Sequence, residues 1–131
     1  MSYSESYDQC MAQKHLPLLG EVFSHKTLSE AFEILDEIDQ ALEAAGGKEI
    51  TLAALASAGP AMGLSESALE VVGLLAAGGA NLAAHMYVIE AGKCLGFAVV
   101  KNSLFSELDA LPSGDLKDQV QESVQSDQAV A

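Results

Sequence analysis

In the stretch KTLSEAFEILDEIDQALEAAGG, apolar residues fall at Leu28, Phe32, Leu35, Ile38, Leu42 and Ala45, every third or fourth position. That spacing lines one face of an α-helix. Thr27 and Glu30 stand at capping-box spacing ahead of the run and Gly46-Gly47 follow it, so the pattern predicts an amphipathic helix from about Leu28 to Ala45. Its other face carries Glu33, Asp36, Glu37, Asp39 and Glu43, with no lysine four residues on to relieve them. Like charges so placed cost about a few tenths of a kcal/mol per pair. A solvated face tolerates this; a cationic partner would offset it.

The rest of the chain reads as further helices. HLPLLGEVFSH gives a short apolar patch interrupted by Pro17 and Gly20, fit for one or two docking turns. EITLAALASAGP predicts a short helix closed by Gly59-Pro60. In MGLSESALE, Ser65 can cap the next helix with a Leu64 to Leu69 staple, or Ser67 and Glu70 can cap it one turn later. That helix should run to about Ala77, where Gly78-Gly79 permits a break. Leu82, His85, Ile89, Gly92, Gly96, Val99 and Val100 then continue at helical pitch, which extends through Leu104, Phe105, Leu108 and Leu111 to Pro112. Val71 to Val100 is accordingly expected to form two helices packed as a hairpin. Leu116, Val120 and Val124 make a thin stripe for a marginal terminal helix, with disorder expected after Ser126.

Alternating runs typical of strands are absent, so the expected fold class is all-α: a compact bundle of about five to seven helices around a Gly/Ala-rich hydrophobic hairpin at about 65–111. Residues 1–126 form one domain in this reading, and 127–131 a disordered tail.

Composition sharpens the hairpin question. From Val71 to Ile89 no residue is charged, a length at the lower limit of a bilayer-spanning helix. The window nevertheless holds Gly73, Gly78, Gly79, Asn81 and His85 and lacks the Leu, Ile and Phe density that favours insertion. Ala76, Ala80 and Ala84, then Gly92 and Gly96, recur at four-residue spacing and flatten one helix surface. In water that surface packs a neighbouring helix closely; in lipid it is a helix-association motif, and a homodimer could use it. The Ala/Gly-rich hairpin under amphipathic helices is similar in composition alone to that of pore-forming bacteriocins.

The chain has 19 acidic residues and 6 basic ones, all lysine, for a net charge of -13. Without arginine it has no guanidinium fork for phosphates or base edges, and its field repels polyanions. Nucleic acid is excluded as a partner; a basic protein surface is favoured.

Candidate chemistry is sparse. His85 and Cys94 project from opposite sides of a continuous helix, and His85 reads as a hydrogen-bonded core histidine or a pH-sensitive switch. Glu21 and His25 are four residues apart, with no second liganding pair nearby in sequence. No phosphate loop, nucleophile elbow or HExxH motif occurs. The expectation is a non-enzymatic protein with no catalytic residue, cofactor or metal. Cys10 and Cys94 read as free thiols in a reducing compartment. The N-terminal residues lack the basic and apolar regions of a signal peptide, so a cytoplasmic protein is expected, exported if at all by a dedicated system.

Two functional readings follow. In the first, a membrane-active, effector-like antagonism protein inserts the 71–100 hairpin, with Gly73, Gly78, Gly79, His85, Gly92 and Gly96 setting its packing. In the second, an acidic immunity- or inhibitor-type protein neutralises a basic enzyme or toxin through Glu33, Asp36, Glu37, Asp39 and Glu43. The expected partner is therefore a lipid bilayer or a basic protein.

Overall fold

The computed structural model describes the backbone of residues 2–130 and the side chains of residues 2–127. The described chain is helical with no strand: α1 (Tyr3–Gln13), α2 (Gly20–Phe23), α3 (Leu28–Ala44), α4 (Leu52–Ala58), α5 (Glu66–Gly79), α6 (Ala84–Asn102), α7 (Phe105–Asp109) and α8 (Asp115–Val130). The all-α class holds, with eight helices rather than five to seven. The excess comes from α1 and from division of the expected long helix into α6 and α7.

Local signals set most boundaries. Thr27 and Glu30 form the capping box of α3, and Ser65 accepts from the Ala68 N–H to start α5. Ser2 and Glu5 form a second capping box at the start of α1. Helix α6 stops at Ser103, which adopts a left-handed conformation at φ 54 while the Leu104 N–H bonds back to the Val99 carbonyl at 3.0 Å. No glycine marks this stop, so helical periodicity carried the expected helix too far. Helix α8 runs past Ser126, where disorder was expected, to Val130, and Ala131 lies outside the described residues.

The expected α5/α6 hairpin is replaced by a different packing. Helix α6 lies chiefly between α8 and α1, with α3 also against it, whereas α5 packs on α4 and α3. The reason is burial on several sides: Tyr87, Ala91, Gly92, Cys94, Leu95 and Val99 of α6 are all buried. A helix with so broad an apolar surface needs more than one neighbour. Helix α1 runs antiparallel to α6, joined by an Asn102–Ser6 hydrogen bond at 3.0 Å, the Cys10–Cys94 disulfide and a Lys14–Glu90 ion pair at 2.6 Å. The Tyr7 and Tyr87 hydroxyls bond to each other at 2.8 Å inside the core.

The disulfide corrects the reading of two free cysteines. Cys10 and Cys94 are 84 residues apart but stand on facing helices with Cα atoms separated by 5.5 Å, within bonding range. Nothing in the spacing of a single pair reports such proximity.

Helix α8 runs parallel to α6 on the small-residue stripe. A Cβ placed on Gly96 would lie 2.6 Å from Ser123 Cβ and 3.0 Å from the Val120 carbonyl oxygen, and one on Gly92 would lie 3.0 Å from Gln119 Cγ. The Gly92 and Gly96 part of the flat face is thus covered within the chain, whereas Ala80, between α5 and α6, is exposed. No helix among the described residues is long and apolar enough to cross a membrane.

Candidate functional site

Asp36, Asp39, Gln40 and Glu43 follow one another at three- and four-residue steps and share a face of α3. The first residue of α8, Asp115, comes down on that face. Helix α3 ends at Ala44 and is capped by Ala45; Gly46 then takes φ 62 in the left-handed region, and Gly47 N–H bonds back to the Leu42 carbonyl at 2.9 Å. The following loop is clipped to the residues before α6 by Leu52 N–H to Leu82 O and Ala84 N–H to Ile50 O, both 2.8 Å. This clip brings His85, in the first turn of α6, to the end of α3.

The result is an open cavity of about 860 Å³ lined by Leu42, Glu43, Gly47, Ile50, His85 and Asp115, with Lys48 also on its wall. A cleft of about 560 Å³ adjoins it, sharing Glu43 and Asp115 and adding Asp36 and Asp39. Carboxylate oxygens of Asp39, Glu43 and Asp115 lie within 4.8 Å of one another.

Glu43, Asp39 and Asp36 respond to these surroundings. A side-chain hydrogen bond with Asp115 holds the Glu43 proton, and the charges of Asp39 and Asp115 reinforce it, pushing Glu43 up to about 7. Asp39 is 6% exposed and makes no side-chain hydrogen bond or ion pair among the described residues. Burial raises its pKa, partly countered by His85. Burial also raises Asp36, against a 2.9 Å hydrogen bond from Gln40. Three carboxyls in such a space can hold a shared proton or surround a cation.

The five residues expected to form one acidic face divide into different roles. Asp36, Asp39 and Glu43 belong to the cleft. Glu37 instead accepts from Ser65 N–H at 2.6 Å and Ser65 Oγ at 2.8 Å, fastening the start of α5 to α3. Glu33 is simply exposed. Asp115 was missed because it lies far along the chain from α3 and nothing in its own neighbourhood announces the contact.

The expected packing glycines also separate. Gly92 and Gly96 meet α8, while Gly78 and Gly79 lie against Pro17 and, for Gly79, Leu82. Gly73 faces open space. His85 is half-buried on the cavity wall rather than sealed in the core, and it makes no side-chain hydrogen bond among the described residues. His25 and Glu21 are exposed and take no part in the carboxylate cluster.

The lysines lie mostly elsewhere. Lys14 and Lys93 both pair with Glu90, the only ion pairs among the described residues. Lys117 donates to the Asp109 and Leu111 carbonyls, and Lys101 stands 5.7 Å from the Phe97 ring centroid.

No protein-family model matches the chain, and no significant match is found to a curated protein or a solved structure.

Proposed function

We propose that the chain is a non-enzymatic acidic binding protein that receives the basic surface of a protein partner at the α3–α8 cleft, in the manner of an immunity or inhibitor protein. The observation that carries this reading is the gathering of Asp36, Asp39, Glu43 and Asp115 around an open cleft without an ion-paired lysine. In a chain of net charge -13, such a cleft focuses the field on an incoming cationic group. The Cys10–Cys94 bond supports action in an oxidising compartment, and thus export of the protein. It also weighs against the membrane-insertion reading, because α6 would have to leave its position while bonded to α1.

Stopped-flow association with a fluorescent oligolysine peptide tests the site. Asp36→Asn, Asp39→Asn, Glu43→Gln and Asp115→Asn together should slow association about tenfold or more. A control replacing the exposed Glu21, Glu66, Glu70 and Glu122 by Gln, all outside the cleft and its adjoining cavity, removes the same number of charges and should slow it much less. Equal slowing by the two sets would reduce the effect to net charge and defeat the assignment. Dye release from anionic vesicles by the oxidised protein would favour the membrane-active reading instead.

A further inference from the structure

Beyond partner binding, we propose that the Cys10–Cys94 bond is a thiol-exchange site, at which a zwitterionic peptide thiol of the glutathione class, seated between α1, α6 and α8, attacks Cys10 and forms a mixed disulfide with it. The two cysteines are unequally placed. Cys94 lies inside α6 and is fully buried, whereas Cys10 is only partly buried and lines an open cavity of about 440 Å³. Pockets that hold small molecules span about 300–1,000 Å³. Access governs which sulfur of a disulfide an incoming thiolate attacks, and here it favours Cys10. The thiolate's electron pair forms the new bond at Cys10 Sγ, the Cys10–Cys94 bond breaks, and its pair leaves on Cys94 Sγ, which takes a proton from solvent. The incoming thiolate is oxidised as Cys94 is reduced. With the bond open, α1 is still tied to α6 by the Asn102–Ser6 and Tyr7–Tyr87 hydrogen bonds.

The cavity lining indicates the kind of thiol. Lys14 follows Cys10 by one helical turn at the end of α1, and Lys93 and Phe97 hold the same spacing on α6. The two ammonium groups share a single carboxylate, Glu90, at 2.6 and 3.4 Å, so this part of the lining keeps a net positive charge. From α8, Glu122 and Asp127 add carboxylates. Asp127 Oδ2 is buried with no hydrogen-bond partner among the described residues, an acceptor that a donor entering the cavity can satisfy. A ligand carrying one sign of charge would be repelled by one of these two sets. Glutathione carries carboxylates for the lysines, an ammonium group for the α8 carboxylates and a methylene stem that can lie against Phe97. Its thiol is thereby brought to Cys10.

The test incubates the disulfide-bonded full chain with reduced glutathione near neutral pH without denaturant, quenches with acid at short times and locates the adduct by peptide mass mapping. Glutathione should stand on Cys10 about tenfold or more in excess of Cys94. Adduct mainly on Cys94, or evenly on both, would overturn the proposal. So would a rate that climbs steeply with urea below the unfolding transition, because exchange would then pass through the unfolded chain. 2-Mercaptoethanol gives the uncharged comparison, each rate being divided by that of the urea-unfolded protein. On this scale the folded chain should favour glutathione by about twofold to fivefold, the range of one exposed ion pair. Lys93→Gln should abolish the preference, whereas Lys48→Gln, outside the cavity, should keep it. Equal corrected rates for the two thiols, or a preference that survives Lys93→Gln, would equally overturn the proposal. Oxidised glutathione reaches the same adduct by a second route: the free Cys10 of Cys94→Ala should react about tenfold or more faster than the buried Cys94 of Cys10→Ala, and equal rates would refute the assignment. The oligolysine measurement uses no thiol, so either result can fail without the other.

Discussion

Substituting Gly96 by alanine tests whether the small-residue stripe exists to admit α8. Helix propensity alone favours the change by about 1 kcal/mol at an interior helical position. The new Cβ, however, would stand 2.6 Å from Ser123 Cβ, 2.7 Å from Ser123 Oγ and 3.0 Å from the Val120 carbonyl oxygen. The last is backbone and cannot rotate aside, so α8 must move; overpacking of this kind costs about 1–3 kcal/mol. Moving Ser123 also strains its 2.8 Å hydrogen bond to the Lys93 carbonyl, worth about 1 kcal/mol. The net expectation is a loss of about 1–3 kcal/mol. Gly92→Ala meets the flexible Gln119 Cγ at 3.0 Å and Leu116 Cδ1 at 3.1 Å, so its propensity gain and packing cost should nearly cancel. Gly73→Ala meets nothing within 4 Å and should stabilise the protein by about 1 kcal/mol. Urea unfolding of the oxidised proteins, followed by circular dichroism, measures all three. Equal or greater stability of Gly96→Ala, or a loss in Gly73→Ala, would refute the argument.

Three further predictions concern other parts of the structure. Replacing both Cys10 and Cys94 by alanine should cost about 4.5 kcal/mol in the chain-entropy account of a long closed loop, and urea unfolding of reduced and oxidised parent protein should show a similar difference in unfolding free energy. Tyr87→Phe should cost about 1–3 kcal/mol because it leaves the buried Tyr7 hydroxyl without its partner, whereas Tyr7→Phe should cost less, since the Tyr87 hydroxyl keeps the Pro17 carbonyl at 3.4 Å; a thermal-unfolding cycle with the double variant compares them. Asp8, Asp36, Asp39 and Glu43 all have raised pKa values in the folded protein, so their favourable contribution is complete below the ordinary carboxylate range and is lost as pH rises through the folded values, about 7 for Glu43. The urea midpoint in EDTA should therefore rise between about pH 8 and about pH 5, and Glu43→Gln should remove the part of that rise nearest neutrality. Glu5, Glu30 and Glu90 are shifted the other way by their hydrogen bonds and by Lys14, so their contribution is lost only below the ordinary carboxylate range.

What could be read from the sequence was whatever depends on neighbours within a few turns. Helix α3 was legible because its cap, its apolar stripe and its stop lie in one short run. Helix α1 carried an equally good capping box in Ser2 and Glu5, but its buried face includes Ser4 and Ser6 beside Tyr7 and Met11, which breaks the apolar pattern. The periodicity of α6 could not choose its neighbours, because burial on several sides leaves no single stripe to follow. The Asp36, Asp39 and Glu43 row was visible as acidic spacing, while the separate use of Glu37 at Ser65 and the arrival of Asp115 depend on tertiary contact.

The stripe and the cleft, although unrelated in sequence, are linked through the register of α8. Gly96 receives Ser123 and Val120, and one turn earlier Gly92 receives Gln119 and Leu116. Continuing one turn toward the start of both helices brings Asp115 to the level of the first turns of α6, where His85 shares the cavity with it. The glycines thus do more than remove bulk: close approach fixes how far α8 slides along α6, and that position decides whether Asp115 reaches Asp39 and Glu43. In this arrangement, the GxxxG spacing acts within one chain to hold a carboxylate from α8 against two carboxylates from α3.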